Sequence, residues 1–128
     1  MPSPSTFAIM VVDDEEELAS LFKTFLERSG YESISFTDPL LALEHFSKNH
    51  NKYHLVITDL RMPELNGIEL ANKIRGNSKT VKILLITAFV VDDVLQSDKF
   101  KQAQIVRTIQ KPFSLKDLGP KISEILSS

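Results

Sequence analysis

Phe7-Ala8-Ile9-Met10-Val11-Val12-Asp13-Asp14 is an unbroken apolar run that stops on two aspartates. His54-Leu55-Val56-Ile57-Thr58-Asp59 repeats the pattern and again ends on an acid. A strand with one wet face alternates apolar and polar residues, whereas a strand covered on both faces is apolar throughout. Both stretches therefore read as central strands of a parallel sheet with helices on each side. Val81–Ile86 reads the same way and runs into Thr87-Ala88. Tyr31–Phe36 alternates, and Ile105–Ile109 supplies a fifth strand that leads to Lys111-Pro112.

Between these strands the apolar residues change to helical spacing. Leu18, Leu21, Phe22 and Phe25 mark a helix that ends near Gly30; Leu40, Leu41, Leu43 and Phe46 mark a second. Asn66 can cap a third that carries Ile68, Leu70, Ala71 and Ile74 and closes at Gly76. A weaker, polar helix is expected within Val91–Phe100, and Ser114 can cap a last one through Leu115, Leu118, Ile122 and Ile125. Gly119-Pro120 lies inside that last helix, where proline removes a backbone bond, so a kink or a late restart is expected there. Five strands alternating with five helices make an α/β chain with a parallel sheet.

The 128 residues fit one domain, read as a flexible tail over 1–6 and a folded unit over 7–128. Fifteen basic against seventeen acidic side chains give a net charge of −2, with no sign of a nucleic-acid-binding surface. The absence of cysteine excludes thiol catalysis, Cys-ligated zinc, iron–sulfur clusters and disulfides. No apolar run is long enough to span a bilayer, and Met1–Thr6 lacks the features of a signal peptide. A cytoplasmic location is expected. His45, His50 and His54 match no zinc spacing and are read as solvated surface residues.

In open α/β sheets, ligands bind outside the carboxyl ends of the strands. Asp13, Asp14, Asp59, Thr87 and Lys111 all fall there. Converging carboxylates raise one another's pKa, and a hard divalent cation such as Mg²⁺ relieves the repulsion while leaving room for phosphate oxygens. An ionised aspartate beside such an ion can attack phosphorus and form an acyl phosphate. Lys111 and the Thr87 hydroxyl would then hold the phosphoryl oxygens. Taken singly, each residue has a plainer reading. The Asp13–Glu17 run suits a helix N-terminus, Asp59 a turn, and Thr87 and Lys111 the solvent.

The chain resembles the receiver domains of two-component response regulators over about residues 7–126. The motifs are Val11-Val12-Asp13-Asp14-Glu15, Thr58-Asp59-Leu60-Arg61-Met62-Pro63-Glu64-Leu65-Asn66-Gly67, Thr87-Ala88 and Lys111-Pro112-Phe113. The resemblance implies a flavodoxin-like (βα)5 three-layer sandwich whose five-stranded parallel sheet has the order 2-1-3-4-5. It implies that Asp59 is the phosphoacceptor. It also implies that Mg²⁺ (or Mn²⁺) is held by Asp14 and Asp59, by Asp13 through water, and by the backbone carbonyl of Arg61. Thr87, Ala88 and Lys111 would contact the phosphoryl group, and the bond before Pro112 would be cis. A histidine kinase or phosphotransfer protein would be the donor. An unidentified output partner would read the fourth helix, fifth strand and fifth helix. The domain would act as a monomer or weak dimer, as a switch rather than an enzyme, without direct contact to nucleic acid or membrane. The chain stops after the fifth helix, which fits a stand-alone receiver or one trimmed from a longer regulator.

Three departures from the family pattern stand out. Thr108 occupies the position, three residues before the lysine, where an aromatic is usual; Phe89 is the nearby aromatic that could change environment instead. Gln104-Ile105 replaces the usual Gly-Ala, and the interval from Thr87 to Lys111 is 111 − 87 = 24 residues, slightly long. Arg107 stands where some dimerising receivers carry an acid. Arg61 and Phe89, each two residues beyond a site residue, would shield the acyl phosphate from water and slow its loss. Thr108 motivates a competing reading, a binding module that keeps the fold and not the chemistry. A phosphatase of the aspartyl-phosphate type would need an acid where Arg61 stands, and a flavin carrier would need a phosphate loop after the first strand.

Overall fold

The computed structural model describes residues 6–88 and 92–127. In chain order the elements are β1 (Ala8–Val12), α1 (Glu16–Arg28), β2 (Glu32–Phe36), α2 (Pro39–Lys48), β3 (Leu55–Asp59), α3 (Gly67–Arg75), β4 (Lys82–Thr87), α4 (Asp92–Leu95), α5 (Asp98–Ala103), β5 (Arg107–Gln110) and α6 (Leu115–Leu126). The strands form one parallel sheet in the order β2-β1-β3-β4-β5, the flavodoxin-like order expected.

The pleat explains the unbroken apolar runs. Ala8, Met10 and Val12 of β1 face one core with Phe46, Leu70, Ile74 and Ala103. Ile9 and Val11 face a second core with Phe22, Leu26, Leu118 and Ile122. Each residue of β1 thus faces one core or the other, and every residue of β1 and β3 is buried. Edge strand β2 is less covered: Glu32 is exposed, Ser33 is buried, and Ile34, Ser35 and Phe36 are half-buried.

Helix ends follow the local chemistry. Asn66 and Glu69 form a reciprocal capping box at α3, with Glu69 N donating to Asn66 Oδ1 at 2.8 Å and Asn66 N to Glu69 Oε1 at 2.9 Å. Asp38 caps α2 ahead of Pro39, and Ser114 caps α6. Gly30, at φ +96°, turns the chain out of α1 in the left-handed region open to glycine.

Four expectations need correction. The single polar helix within Val91–Phe100 is instead two pieces, α4 and α5. Ser97 divides them: its N–H and Oγ both donate to Val94 O, at 3.2 and 2.7 Å, while Oγ accepts from Phe100 N. The last helix does not restart at Gly119-Pro120 but runs on from Leu115 to Leu126. Gly119 brings no Cβ against the proline ring, and Pro120 is exposed, so water can reach the carbonyl that loses its donor. β5 begins at Arg107 rather than Ile105, because Gln104 ends α5 in a left-handed conformation (φ 52°, ψ 51°) and the next residues complete the turn. His45 and His54 are not merely solvated. His45 Nε2 lies 2.7 Å from Tyr53 Oη in an aromatic cluster with Phe36, and His54 Nδ1 accepts the Ala8 N–H at 3.1 Å.

Candidate functional site

The sheet order puts β1 beside β3, and this is where the chain direction across the sheet reverses. A crevice opens there at the carboxyl ends. Asp13 and Asp14 follow β1, and Asp59 ends β3. One oxygen from each of the three carboxylates lies within 4.8 Å of the others. Asp13 and Asp59 are buried and Asp14 is exposed. Lys111 reaches in from beyond β5, its Nζ 3.4 Å from Asp59 Oδ2 and 4.0 Å from Asp13 Oδ2.

The backbone fixes these side chains. Asp13 N donates to Phe36 O across to β2, and Asp13 Oδ1 accepts the Glu15 N–H at 2.9 Å, which turns the chain into α1. Asp59 Oδ1 accepts the Leu60 N–H at 2.9 Å, which leaves Oδ2 on the Lys111 side. Lys111 N donates to Thr87 O at 2.8 Å, joining the lysine to the end of β4, and the Lys111–Pro112 bond is cis. Thr87 is buried, Ala88 and Arg61 are exposed, and Thr108 is half-buried on β5. Phe89 lies outside the described residues.

Three carboxylates against one ammonium leave the crevice short of positive charge. Burial pushes the Asp13 carboxyl up to about 6; the Glu15 N–H opposes this, the charge of Asp59 adds to it, and Lys111 pulls it down. Asp59 is also raised, chiefly by burial, against the charge and hydrogen bond of Lys111. A set of hard oxygen donors that resist ionisation without a cation is what Mg²⁺ or Mn²⁺ suits. The residues present fit such an ion.

Two supports had no recognised role in the sequence. Gly67 opens α3 directly against Asp59: a Cβ there would lie 2.3 Å from Asp59 O. Its presence in the Asn66-Gly67 pair was legible, but the close approach that requires it was not. Arg75 is 7% exposed and among the described residues bonds only main-chain carbonyls, and nothing in its spacing signals that.

Residues 9–123 match the family model for the response regulator receiver domain. The chain belongs to this family. CpdR, a response regulator receiver protein of Brucella abortus, is 30% identical over 119 residues, covering 92% of this chain and 95% of that protein. RprY, a transcriptional regulatory protein of Bacteroides fragilis, is 31% identical over 92% of this chain and 48% of its own length. This receiver domain spans about half the length of the first curated relatives it matches. Among solved structures, TrrA of Thermotoga maritima, in complex with Mg²⁺ and BeF, shares 34% identity at a TM-score of 0.77, covering 93% of this chain and 98% of that one. A CheY-like receiver domain of Methanospirillum hungatei shares 26% identity at a TM-score of 0.85, covering 96% and 95%. A receiver domain is a phosphoacceptor switch that works on its own aspartate, not an enzyme with a separate substrate, and the acidic cluster here can hold the divalent metal. No helix among the described residues is long and apolar enough to cross a membrane.

Proposed function

We propose that Asp59 accepts a phosphoryl group from the phosphohistidine of a histidine kinase or phosphotransfer protein, and that the acyl phosphate changes the surface offered to an output partner. The observation that carries the reading is Lys111 Nζ set 3.4 Å from Asp59 Oδ2 beside two further carboxylates. An oxygen of the ionised Asp59 attacks phosphorus and forms a new O–P bond. The P–N bond of the donor breaks, its electron pair leaves with the imidazole, and the product is an acyl phosphate. Asp13, Asp14 and Asp59, with the Arg61 carbonyl, would hold Mg²⁺, which supplies charge neutralisation for the carboxylates and the phosphoryl oxygens. Lys111 exchanges its carboxylate contact for the phosphoryl oxygens, and the Thr87 hydroxyl and the Ala88 backbone N–H complete their hydrogen bonding.

On this reading residues 7–128 are the switching unit and 1–6 a tail, acting in the cytoplasm as a monomer or weak dimer with no nucleic acid or membrane in contact. Arg61 and Phe89, two residues beyond Asp59 and Thr87 in the sequence, slow hydrolysis of the acyl phosphate. Replacing both with small residues shortens its lifetime; an unchanged lifetime removes them from that role.

The test of the whole reading is intact mass after incubation with acetyl phosphate, with and without Mg²⁺, beside Asp59→Asn. The expected result is one phosphoryl increment that needs both Mg²⁺ and Asp59. No increment, with phosphoramidate as well, would leave a binding module that keeps the fold alone, with Thr108 as its first distinguishing mark.

A further inference from the structure

We propose that the groove between α3 and α5 is a docking site for an acidic segment of a partner protein. Glu69, Asn72 and Lys73 of α3 line one wall, and Lys99 and Gln102 of α5 line the other, around a groove of about 460 Å³. It shares no residue with the acidic crevice at Asp59 and does not depend on the phosphoacceptor reading.

The walls are tied to each other. α3 and α5 lie side by side and run in the same direction, because residue 72 meets residue 99 while residue 75 meets residues 103 and 104. Asn72 Nδ2 donates to Ile68 O at 3.1 Å on its own helix and to Lys99 O at 2.9 Å on the other. Nearly one turn on, Arg75 Nε donates to Ala103 O at 2.8 Å and Nη2 to Gln104 O at 3.0 Å, at the end of α5 where helical C=O groups have no intrahelical donor. The width of the groove is therefore set before anything enters it, and an occupant does not have to order its walls.

The positive charge in the groove is left over from the fold. Glu69 and Lys73 stand four apart on one helix, in the order that favours a surface ion pair, and Glu44 with Lys48 forms such a pair on α2. Glu69 forms none, because its Oε1 turns back to accept the Asn66 N–H at 2.9 Å in the capping box. Lys99 has Gln102 and Ala103 at the positions three and four ahead, so its helix offers no acid at pairing distance. Both lysines are exposed, and neither has an ion pair among the described residues. Two unpaired ammonium groups beside the Gln102 amide suit carboxylates, which accept charge-assisted hydrogen bonds. Toward the amino ends of the helices a smaller hollow of about 290 Å³ shares Glu69 and Lys99 with the groove and adds the apolar side chains of Ile68 and Val94. The occupant that fits both parts is a peptide segment with carboxylates next to an aliphatic residue. A phosphate backbone fits less well, because it calls for a basic stripe, whereas Glu69 stands on the same wall and the chain carries a net charge of −2.

A library of random dodecapeptides selected on the whole chain, with counter-selection on the Lys73→Glu/Lys99→Glu double variant, tests the groove. Enriched peptides are expected to carry paired Asp or Glu close to a Leu, Ile or Val. One of them is then synthesised and titrated. Lys73→Glu and Lys99→Glu should each weaken it on the order of tenfold, and Lys121→Glu, on α6 across the sheet, should stay within about twofold. Lys73→Gln and Lys99→Gln add no acid to the helices and should each lose about threefold, so the result does not rest on charge reversal alone. Amide shifts should concentrate over 69–73 and 98–102, and binding should weaken as salt rises. No enrichment, enrichment without acids, or unchanged binding to the double variant would overturn the proposal. Three further results would replace the partner segment with another occupant and so overturn it as well. Inorganic phosphate or free glutamate shifting the same amides as strongly as the peptide would make this a small-anion site. Self-association of the wild type that is lost in Lys73→Glu would make the occupant a second copy of the chain. A DNA duplex that displaces the peptide and binds more tightly would make it a nucleic acid.

Discussion

Gly67→Ala tests whether the phosphoacceptor sits on a rigid seat. The added methyl would lie 2.3 Å from Asp59 O, 2.9 Å from Leu85 Cδ1 and 3.1 Å from the Asp59 carbonyl carbon. Reaching ordinary contact at 3.4 Å requires a displacement of at least 3.4 − 2.3 = 1.1 Å. Neither obstacle yields easily. Asp59 O accepts from Thr58 Oγ1 at 3.0 Å at the end of a buried central strand, and Leu85 is fully buried. The remaining escape is for α3 to move outward, at the expense of the 2.8 Å bond from Gly67 N to Leu60 O. Overpacking of this kind costs about 1–3 kcal/mol, and the lost bond adds about 1 kcal/mol. At about 3–5 °C per kcal/mol for this length, the melting temperature should fall by about 10 °C. A misplacement of about 1 Å at the reacting carboxylate should slow phosphoryl incorporation from acetyl phosphate by up to ~10²-fold. Gly30→Ala is the control. It meets nothing within 4 Å but stands at φ +96°, so it should lose about 1 kcal/mol with labelling intact. A Gly67→Ala protein that melts within a few degrees of wild type and labels at the wild-type rate would refute the rigid seat.

Metal-free stability should depend on pH through Asp13. Its carboxyl titrates at about 6 in the fold against an ordinary 3.8, so between those values the folded protein keeps a proton that the unfolded chain has lost. The Asp13 contribution to stability therefore falls as pH rises from about 4 to about 6 and is constant above, a loss of about 3 kcal/mol by linkage. Asp13→Asn should remove the Asp13 share of this slope and leave that of Asp59, whose carboxyl is also raised, so urea midpoints of wild type and variant in EDTA should diverge across that window; parallel midpoints would contradict the cause assigned. Mg²⁺ should then stabilise wild type more than Asp13→Asn. Gln104→Gly should gain about 0.5–1 kcal/mol, because φ 52° suits glycine and the Arg75 bond is to the main chain; thermal melting checks it. His54→Ala should lose about 1 kcal/mol by removing the acceptor of Ala8 N while leaving phosphoryl incorporation unchanged, and a labelling defect would count against a purely structural histidine.

The unbroken apolar runs were legible because strands covered on both faces lose their polar alternation, and the same logic fixed where the carboxyl ends lay. Asp13, Asp14, Asp59 and Lys111 followed from that placement and from motif strings of high specificity. Less visible were contacts that depend on main-chain partners far apart in sequence. Arg75 bonds residues 28 and 29 positions away, and a lysine at its place would give the same amphipathic pattern. The break at Ser97 escaped because a serine flanked by polar residues is compatible with a helix interior as well as with a cap. Pro120 misled as to a restart: glycine before it brings no Cβ against the proline ring, and exposure lets water reach the carbonyl that loses its donor.

The two edges of the sheet are built on opposite principles. At the amino edge, long polar side chains are spent on main-chain groups: His54 on Ala8 N, Arg75 on Val81 O, and Lys82 Nζ on Ile125 O at 2.6 Å. Each of these closes a helix end or a strand start, and none leaves charge facing charge. At the carboxyl edge the main chain is just as well bonded, but the side chains are not matched: three carboxylates share one lysine, and two of them are held above their ordinary pKa. That mismatch would be a defect in a protein selected for stability alone. It becomes the working feature once a cation and a phosphoryl group can enter, because both then bind to a site whose ground state is under electrostatic strain. The firm edge is what permits it. A domain of this size has a small net stability, and carboxyls buried above their ordinary pKa at one edge are tolerable where the other edge is tied down.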